Sequence, residues 1–172
     1  GEVLAIDHTT DNALMALRFT HAGVKMQAAE ASFEAAGRTF RAGTFLVAGT
    51  DRAALAPTLT RLGLSATALP SMPAVKTHDL DVPRIGYVHS WARTQDEGWV
   101  RAALDTFGVP YTYFSDQKLR DGGLRAKYDV IIFPHVGGTG QRQVNGIPKT
   151  GPDPVPYQKS ELTPNTGAHD SP

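Results

Sequence analysis

The chain has 172 residues, and its 17 Lys plus Arg balance 17 Asp plus Glu. This balance argues against the electropositive surface by which proteins bind nucleic acid or anionic membranes, so we expect neither partner. No apolar run approaches the roughly 18 residues of a membrane-spanning helix. The absence of cysteine excludes disulfides, thiolate metal ligands and a cysteine nucleophile, and it leaves the cellular compartment open.

The first part of the chain, 1–70, predicts a small α/β unit. Short apolar strands are predicted over 2–7 and over 44–48 (TFLVA), and each is followed by a segment with the apolar spacing of a helix. Pro57 lies inside the second of these helices and should kink it or delay its start. Both ends of the chain suggest that it is cut from a longer polypeptide.

The next part, 71–83, is a polar segment bracketed by prolines, and we interpret it as a linker. The part that follows, 84–138, predicts parallel α/β architecture, because apolar strands end in polar or glycine-rich loops and alternate with an amphipathic helix. This helix is expected to turn Trp99 towards the sheet. The last strand of this part, over 128–134, is continuously apolar, as in a strand buried on both faces. Residues 139–172 are rich in Pro and Gly and predict a surface loop or tail.

Polar and aromatic side chains follow the predicted parallel strands. In open parallel sheets, ligands bind where the strands end and the loops begin. The candidate ligand-binding residues at this edge are His89, Ser90, Trp91, Asp96, Glu97 and His135. A histidine–carboxylate pair there could move protons or orient a ligand. The same groups could instead cap helix ends and bond to loop backbone, and we favour this second, structural interpretation.

The six histidines do not have the spacing of a metal site. Helical zinc ligands need His-x-x-x-His or His-x-x-Glu with a further ligand downstream, and no two histidines of this chain lie within four residues of each other. We therefore expect no metal, no cofactor and no catalytic residue in this chain.

Three stretches of the sequence carry a family resemblance. They are RIGYVHSW at 84–91, TQDEGWVRAALDTFGVPYTY at 94–113, and LR followed by YDVIIFPH, which ends at residue 135. They resemble the region after the catalytic domain in large bacterial zinc carboxypeptidases of the carboxypeptidase A-like class. In those proteins this region is similar to a class I glutamine amidotransferase-like, flavodoxin-like domain. The segment 41–48 (RAGTFLVA) fits the small α/β unit before it, so the resemblance covers most of 1–140.

The resemblance implies a parent that is a secreted or periplasmic hydrolase with zinc in its catalytic domain. The zinc motif of that family, His-x-x-Glu with a later His, does not occur in this chain, so no catalytic residue can be transferred. The amidotransferase cysteine is also missing. We therefore expect an accessory, scaffolding segment without a zinc site of its own. Its partners would be the parent's catalytic domain, the remaining strands of the sheet, or a second copy through self-association.

Two other classes of function stay open. The alternative is a small-molecule-binding α/β module with its site at the carboxyl ends of the strands. A stand-alone hydrolase or transferase that uses His89 or His135 with a carboxylate is the least favoured, because no nucleophile is evident. The expected fold is α/β: a small α/β unit followed by a partial flavodoxin-like parallel sheet. Such a sheet usually has about five strands, so an open edge is expected.

Overall fold

The computed structural model describes residues 2–49, 52–89, 94–135 and 137. The protein is mixed α/β and divides into two compact units. The first contains Gly1–Val82 and Leu104–Val109, and the second contains Pro83–Ala103 and the chain from Pro110 onwards. The predicted loop or tail at 139–172 lies outside the described residues.

The first unit is built around a five-stranded antiparallel sheet of order β6-β1-β5-β2-β7, accompanied by the two-stranded hairpin β3-β4. Its elements are β1 (Val3–Ile6), α1 (Ala13–Thr20), β2 (Gln27–Ala29), β3 (Phe33–Ala35), β4 (Arg38–Phe40), β5 (Phe45–Ala48), α2 (Arg52–Leu62), β6 (Ala66–Leu69) and β7 (Thr77–Asp79). The small α/β unit predicted for 1–70 is thus an antiparallel one.

Apolar side chains cover both faces of this antiparallel sheet. Neighbouring residues of a strand point to opposite faces, so Leu46 and Val47 of β5 are both buried but belong to different apolar clusters. The cluster around Val47 includes Leu17 of α1 and Leu55 of α2, and both leucines are fully buried. The cluster around Leu46 includes the hairpin, where Phe40 stacks on a second ring, that of Phe33, at 5.0 Å. The two helices and the hairpin therefore cover opposite faces.

The structure tests two predictions for this part of the chain. Helix α2 begins at Arg52, five residues before Pro57, and continues to Leu62. Of the two effects expected of the proline, a delayed start is therefore wrong, and a kink stays a prediction. The predicted linker 71–83 contains β7, which pairs with β2 from Ala29↔Thr77 to Gln27↔Asp79. Proline-rich flanks had suggested a connector, but three residues between them form an edge strand of the sheet.

The second unit contains a three-stranded parallel sheet of order β10-β8-β9. Its elements are β8 (Ile85–His89), α3 (Gln95–Thr106), β9 (Thr112–Ser115), a 3₁₀ segment (Asp116–Asp121), α4 (Leu124–Lys127) and β10 (Val130–Ile132). Because β8 is the middle strand, the chain passes from it to β9 on one side and then to β10 on the other. The parallel sheet expected for 84–138 is therefore confirmed.

Burial in the second unit differs from the sequence prediction in two places. The third strand was expected to be buried on both faces, but Val130 is 43% and Ile131 is 40% exposed. Helix α3 was expected to turn Trp99 towards the sheet, but this side chain is 70% exposed. Glu97 is buried instead, because polar groups of the sheet bind it. The face of α3 that meets the sheet is therefore polar, which apolar spacing could not indicate.

The opposite face of the parallel sheet is closed by an aromatic pair. The rings of Phe114 and Tyr128 stack at 5.2 Å and lie beneath Gly86 of β8. A Cβ atom at Gly86 would come within 2.9 Å of Phe114 and 3.0 Å of Tyr128. The missing side chain at Gly86 therefore lets both rings pack flat against the middle strand.

Candidate functional site

Three polar side chains converge at the carboxyl end of β8. His89 is the last residue of this strand, and Tyr87, two residues earlier, points to the same face of the sheet. Tyr113 of β9 is in register with Tyr87, so its ring lies on that face as well. Helix α3 brings Glu97, in its first turn, over the same face. His89, Glu97 and Tyr113 are named here the histidine cluster.

The side chains of the histidine cluster are in direct hydrogen-bond contact. The Nδ1 atom of His89 lies 2.9 Å from Oε2 and 3.1 Å from Oε1 of Glu97. The hydroxyl of Tyr113 lies 2.8 Å from the same Nδ1 atom and donates to Oε1 of Glu97. The side chain of Glu97 is only 4% exposed and that of His89 is 17% exposed. The carboxylate is thus out of water and held by two donors.

Two further tyrosines and an arginine surround the cluster. The Tyr87 hydroxyl is fully buried and donates to the backbone carbonyl of Glu97 at 3.1 Å, which ties α3 to the middle strand. The guanidinium of Arg101 lies 4.1 Å from the centre of the Tyr113 ring, and its Nε donates to the Tyr111 hydroxyl at 3.3 Å. This is a cation–π contact on the ring that hydrogen-bonds Glu97.

The surroundings of Tyr113 disfavour its phenolate form. Burial is the largest cause, followed by the hydrogen bond to Glu97 and the negative charge of that carboxylate, and together they raise the pKa of Tyr113 to about 12. Burial, together with the same carboxylate, also raises the pKa of Tyr87. At neutral pH both hydroxyls therefore keep their protons and act as donors to Glu97.

The structure brings together two of the six candidate residues named from the sequence, His89 and Glu97. Asp96 is exposed in the first turn of α3, and His135 is exposed three residues after the end of β10; neither belongs to the cluster. Ser90 and Trp91 lie outside the described residues. The carboxylate was therefore correctly placed near the strand end, whereas its neighbour Asp96 faces away.

The sequence analysis did not identify Tyr87 and Tyr113, the two tyrosines that bind Glu97. Tyr113 follows Tyr111 by two residues in the segment VPYTYFSD, so the period of a strand puts both on one face. Tyr87 precedes His89 by the same spacing. A rule that follows alternate residues on both strands would have placed Tyr87, Tyr113 and His89 on one face, although it would not have shown that α3 covers them.

The described residues were searched for a cluster of metal ligands and for a helix that could span a membrane. Over the ranges 2–49, 52–89, 94–135 and 137, no group of three or more His, Asp or Glu side chains is placed to hold a metal ion. Within the same residues, no helix is long and apolar enough to cross a membrane. A shallow groove of about 280 Å³ in the first unit is lined by apolar side chains such as Leu4 and Leu59 and offers no reactive group.

Comparison with known proteins gives a plain result. No protein-family model, curated protein or solved structure matches the chain. The functional argument therefore depends on the residues of the chain and on their geometry.

Proposed function

We propose that this chain is a non-catalytic accessory segment of a zinc carboxypeptidase-like polypeptide, in which it acts as a scaffold. The proposal starts from the resemblance of three stretches within 84–135 to the region after the catalytic domain of those peptidases. The zinc of such a parent belongs to its catalytic domain. The residues of this chain do not fit that metal, because the sequence has no His-x-x-Glu motif.

One observation carries the proposal: residues from the different resembling stretches bind one another. Arg84 of RIGYVHSW forms a two-pronged ion pair with Asp129 of YDVIIFPH. His89 of the first stretch binds Glu97 of TQDEGW. These pairs join β8 to β10 and to α3. Residues of the resembling stretches therefore hold one α/β unit together. This structural role supports the proposal that the segment is a scaffold.

We also propose a specific fold for the second unit, a flavodoxin-like fold of the class I glutamine amidotransferase-like type. The order β10-β8-β9 supports this, because doubly wound sheets of order 2-1-3-4-5 begin with the same arrangement. In that order a fourth strand pairs with the outer edge of β10. The exposed Val130 and Ile131 are the side chains that such a strand and its helix would cover. The remaining strands, or the parent's catalytic domain, are the proposed partners.

A peptidase assay tests the accessory role. The purified chain is incubated with a peptide substrate for carboxypeptidases, with and without added zinc, and its metal content is measured. We expect no hydrolysis and no stoichiometric zinc. Zinc-dependent hydrolysis with one bound zinc would overturn the proposal. In a second arm, the chain is titrated into the catalytic domain of a carboxypeptidase of the resembling class, where calorimetry should detect binding. No heat of binding would count against the scaffold.

A second candidate function is supported by the histidine cluster itself. It lies at the carboxyl ends of β8 and β9, where parallel sheets bind their ligands, and its imidazole is oriented by a buried carboxylate. This arrangement favours a small-molecule-binding module. Amide chemical shifts recorded with a library of small polar fragments test it: shifts centred on the end of β8 support binding, and an unresponsive β8 end rejects it.

A further inference from the structure

The side of helix α3 that faces away from the sheet carries a large exposed apolar side chain. Trp99 is 70% exposed, whereas the other exposed large apolar side chains of the described residues are 37–43% exposed. Trp99 follows the buried Glu97 by two residues, which is about 200° around a helix, so its indole points away from the sheet. Ala102 and Ala103, one turn further along, are exposed as well. Trp99, Ala102 and Ala103 are named here the tryptophan face.

Completion of the parallel sheet would not cover the tryptophan face. Val130 and Ile131 are exposed at the edge of β10, where a fourth strand would lie. Such a strand extends the sheet sideways, whereas Trp99 lies on the side of α3 opposite the sheet. An aromatic side chain removes about 150–250 Å² from water when it is covered, and exposed apolar patches with polar borders mark interaction sites. The tryptophan face therefore needs a partner other than the missing strands.

The charges of α3 determine the chemistry of that partner. Asp96 is exposed and lies three residues before Trp99, so the two side chains are neighbours on the helix surface. The single basic residue of α3, Arg101, is held elsewhere: its guanidinium lies 4.1 Å from the centre of the Tyr113 ring, and its Nε donates to the Tyr111 hydroxyl. A carboxylate beside an indole is complementary to a Lys or Arg side chain, which pairs with the carboxylate and stacks on the ring.

The same charges disfavour a second copy of the chain as the partner. Two α3 helices that packed through their tryptophan faces would each bring Asp96 to the contact. The arginine of each helix is already bound to tyrosines of its own sheet, so α3 offers no cation to the carboxylate of the other copy. Like charges at an interface select against such a pairing. A different protein with basic side chains therefore fits this surface better.

We propose that the tryptophan face of α3 is a docking surface for a different protein, which receives the indole of Trp99 in an apolar pocket bordered by Lys or Arg. This inference rests on the accessory role proposed above, under which the partner is the parent's catalytic domain. Trp99 is the anchor, because tryptophans that fill pockets carry a large share of the binding energy of protein interfaces. Asp96 supplies the ion pair at the border of the pocket.

Calorimetry with the catalytic domain of a carboxypeptidase of the resembling class tests the anchor. The unaltered chain should bind, and Trp99→Ala should bind about tenfold or more weakly, as expected when an anchoring tryptophan is truncated. Val100→Ala is the matched control, because Val100 is the next residue of α3 and is also exposed. It should bind within about twofold of the unaltered chain, as residues outside an anchor do. Circular dichroism of both variants should match that of the unaltered chain, since neither side chain is buried.

A charge reversal tests the chemistry of the partner. Asp96→Lys should weaken binding about threefold or more, and this loss should shrink at high salt because salt screens exposed charges. Asp121→Lys is the control, since Asp121 is an exposed acid of the 3₁₀ segment and lies outside α3. It should leave the affinity unchanged. Tighter binding by Asp96→Lys would overturn the inference, because it would mean that the partner surface is acidic.

The remaining outcomes distinguish this inference from the accessory role. If the unaltered chain binds the catalytic domain and Trp99→Ala binds it equally well, the docking surface is wrong and the accessory role stands. If the unaltered chain gives no heat of binding, both are wrong. Sedimentation velocity of the chain alone gives the last test: self-association that Trp99→Ala abolishes would mean that a second copy covers the face, which would also overturn the inference.

Discussion

Arg84 and Asp129 join the strands β8 and β10 at the points where both begin. The backbone N–H and Nε of Arg84 donate to one carboxylate oxygen at 2.8 and 3.0 Å, and a terminal nitrogen of its guanidinium donates to the other at 2.9 Å. The guanidinium also donates to the carbonyl of Ala126, in α4, at 2.7 Å. This pair fixes the register of β8 and β10, which are neighbours in the sheet although β9 lies between them in the chain.

Replacing Asp129 by Asn should make stability less dependent on pH at the acid end. The hydrogen bonds from Arg84 hold the pKa of Asp129 well below its usual range. A carboxylate whose pKa is lower in the folded state stabilises the fold above its unfolded pKa of about 3.9, and this contribution is lost as the pH falls. Urea unfolding should therefore show the unaltered chain more stable than Asp129→Asn at pH 7, with the difference shrinking below about pH 4.

A matched control for this experiment is Asp121→Asn. Asp121 forms an exposed single-contact pair with Lys118 at 3.2 Å, and such pairs contribute little to stability. Both tryptophans, Trp91 and Trp99, belong to the sequence of the second unit, so fluorescence follows that unit. An equal loss in both variants, or a difference for Asp129→Asn that persists unchanged at pH 2, would contradict the assigned role.

Adding one methyl group at Gly86 should destabilise the second unit. The new Cβ would lie 2.9 Å from Phe114 and 3.0 Å from Tyr128, and these stacked rings cannot both move without losing their packing. Overpacking of this kind costs about 1–3 kcal/mol of unfolding free energy. Gly98→Ala is the matched control, because nothing lies within 4 Å of its Cβ in α3, and it should gain about 0.5–1 kcal/mol. Denaturant titration of both variants checks the opposite signs.

The parallel unit could be predicted from sequence because its strands are marked by runs of apolar residues separated by polar loops. RIGYVHS and YDVIIFP both gave strands that pair in parallel, through register pairs such as Val130↔Ile85. The antiparallel order of the first unit could not be predicted. Its strands are three or four residues long, and β7 lies between prolines with the sequence THD, which has no apolar alternation. Its pairing with β2 arises from tertiary contacts, which local propensity does not encode.

The site was predictable only in part, for a similar reason. His89 and Glu97 could be placed near each other because one ends a strand and the other opens the following helix. The face of α3 that packs against the sheet could not be predicted, because a buried glutamate departs from the apolar periodicity that marks the packed face of a helix. Its burial is stabilised by the hydroxyls of Tyr87 and Tyr113 together with the imidazole, and these partners come from two different strands. Polar groups that stabilise one another across a sheet leave no local pattern in the sequence.

The ionisation of Tyr113 should weaken the fold at high pH. Its pKa is raised to about 12, so the neutral form is favoured in the folded state. The contribution to stability is fully present below the unfolded pKa of about 10 and is lost as the pH rises through the folded value. Between pH 9 and pH 11 the unaltered chain should therefore lose more stability than Tyr113→Phe does. Unfolding by urea at both pH values measures this difference.

The control for this prediction is Tyr128→Phe, because Tyr128 lies on the opposite face of the sheet against Phe114. It should lose stability between pH 9 and pH 11 as the unaltered chain does. Ultraviolet absorbance gives a second readout: deleting the Tyr113 hydroxyl should remove a tyrosine that titrates near pH 12. If the absorbance change near pH 12 is the same with and without the Tyr113 hydroxyl, the assignment of this pKa to Tyr113 is wrong.

The outer edge of β10 should drive self-association, and a charge there should prevent it. Within the described residues β10 pairs only with β8, and Val130, Ile131 and Phe133 are 37–43% exposed. Open strand edges with apolar side chains pair with other chains, and lysine blocks such pairing. Sedimentation velocity should therefore show less association for Ile131→Lys. Val100→Lys, equally exposed but on helix α3, should not change it. A monomeric unaltered chain at high concentration would contradict the prediction.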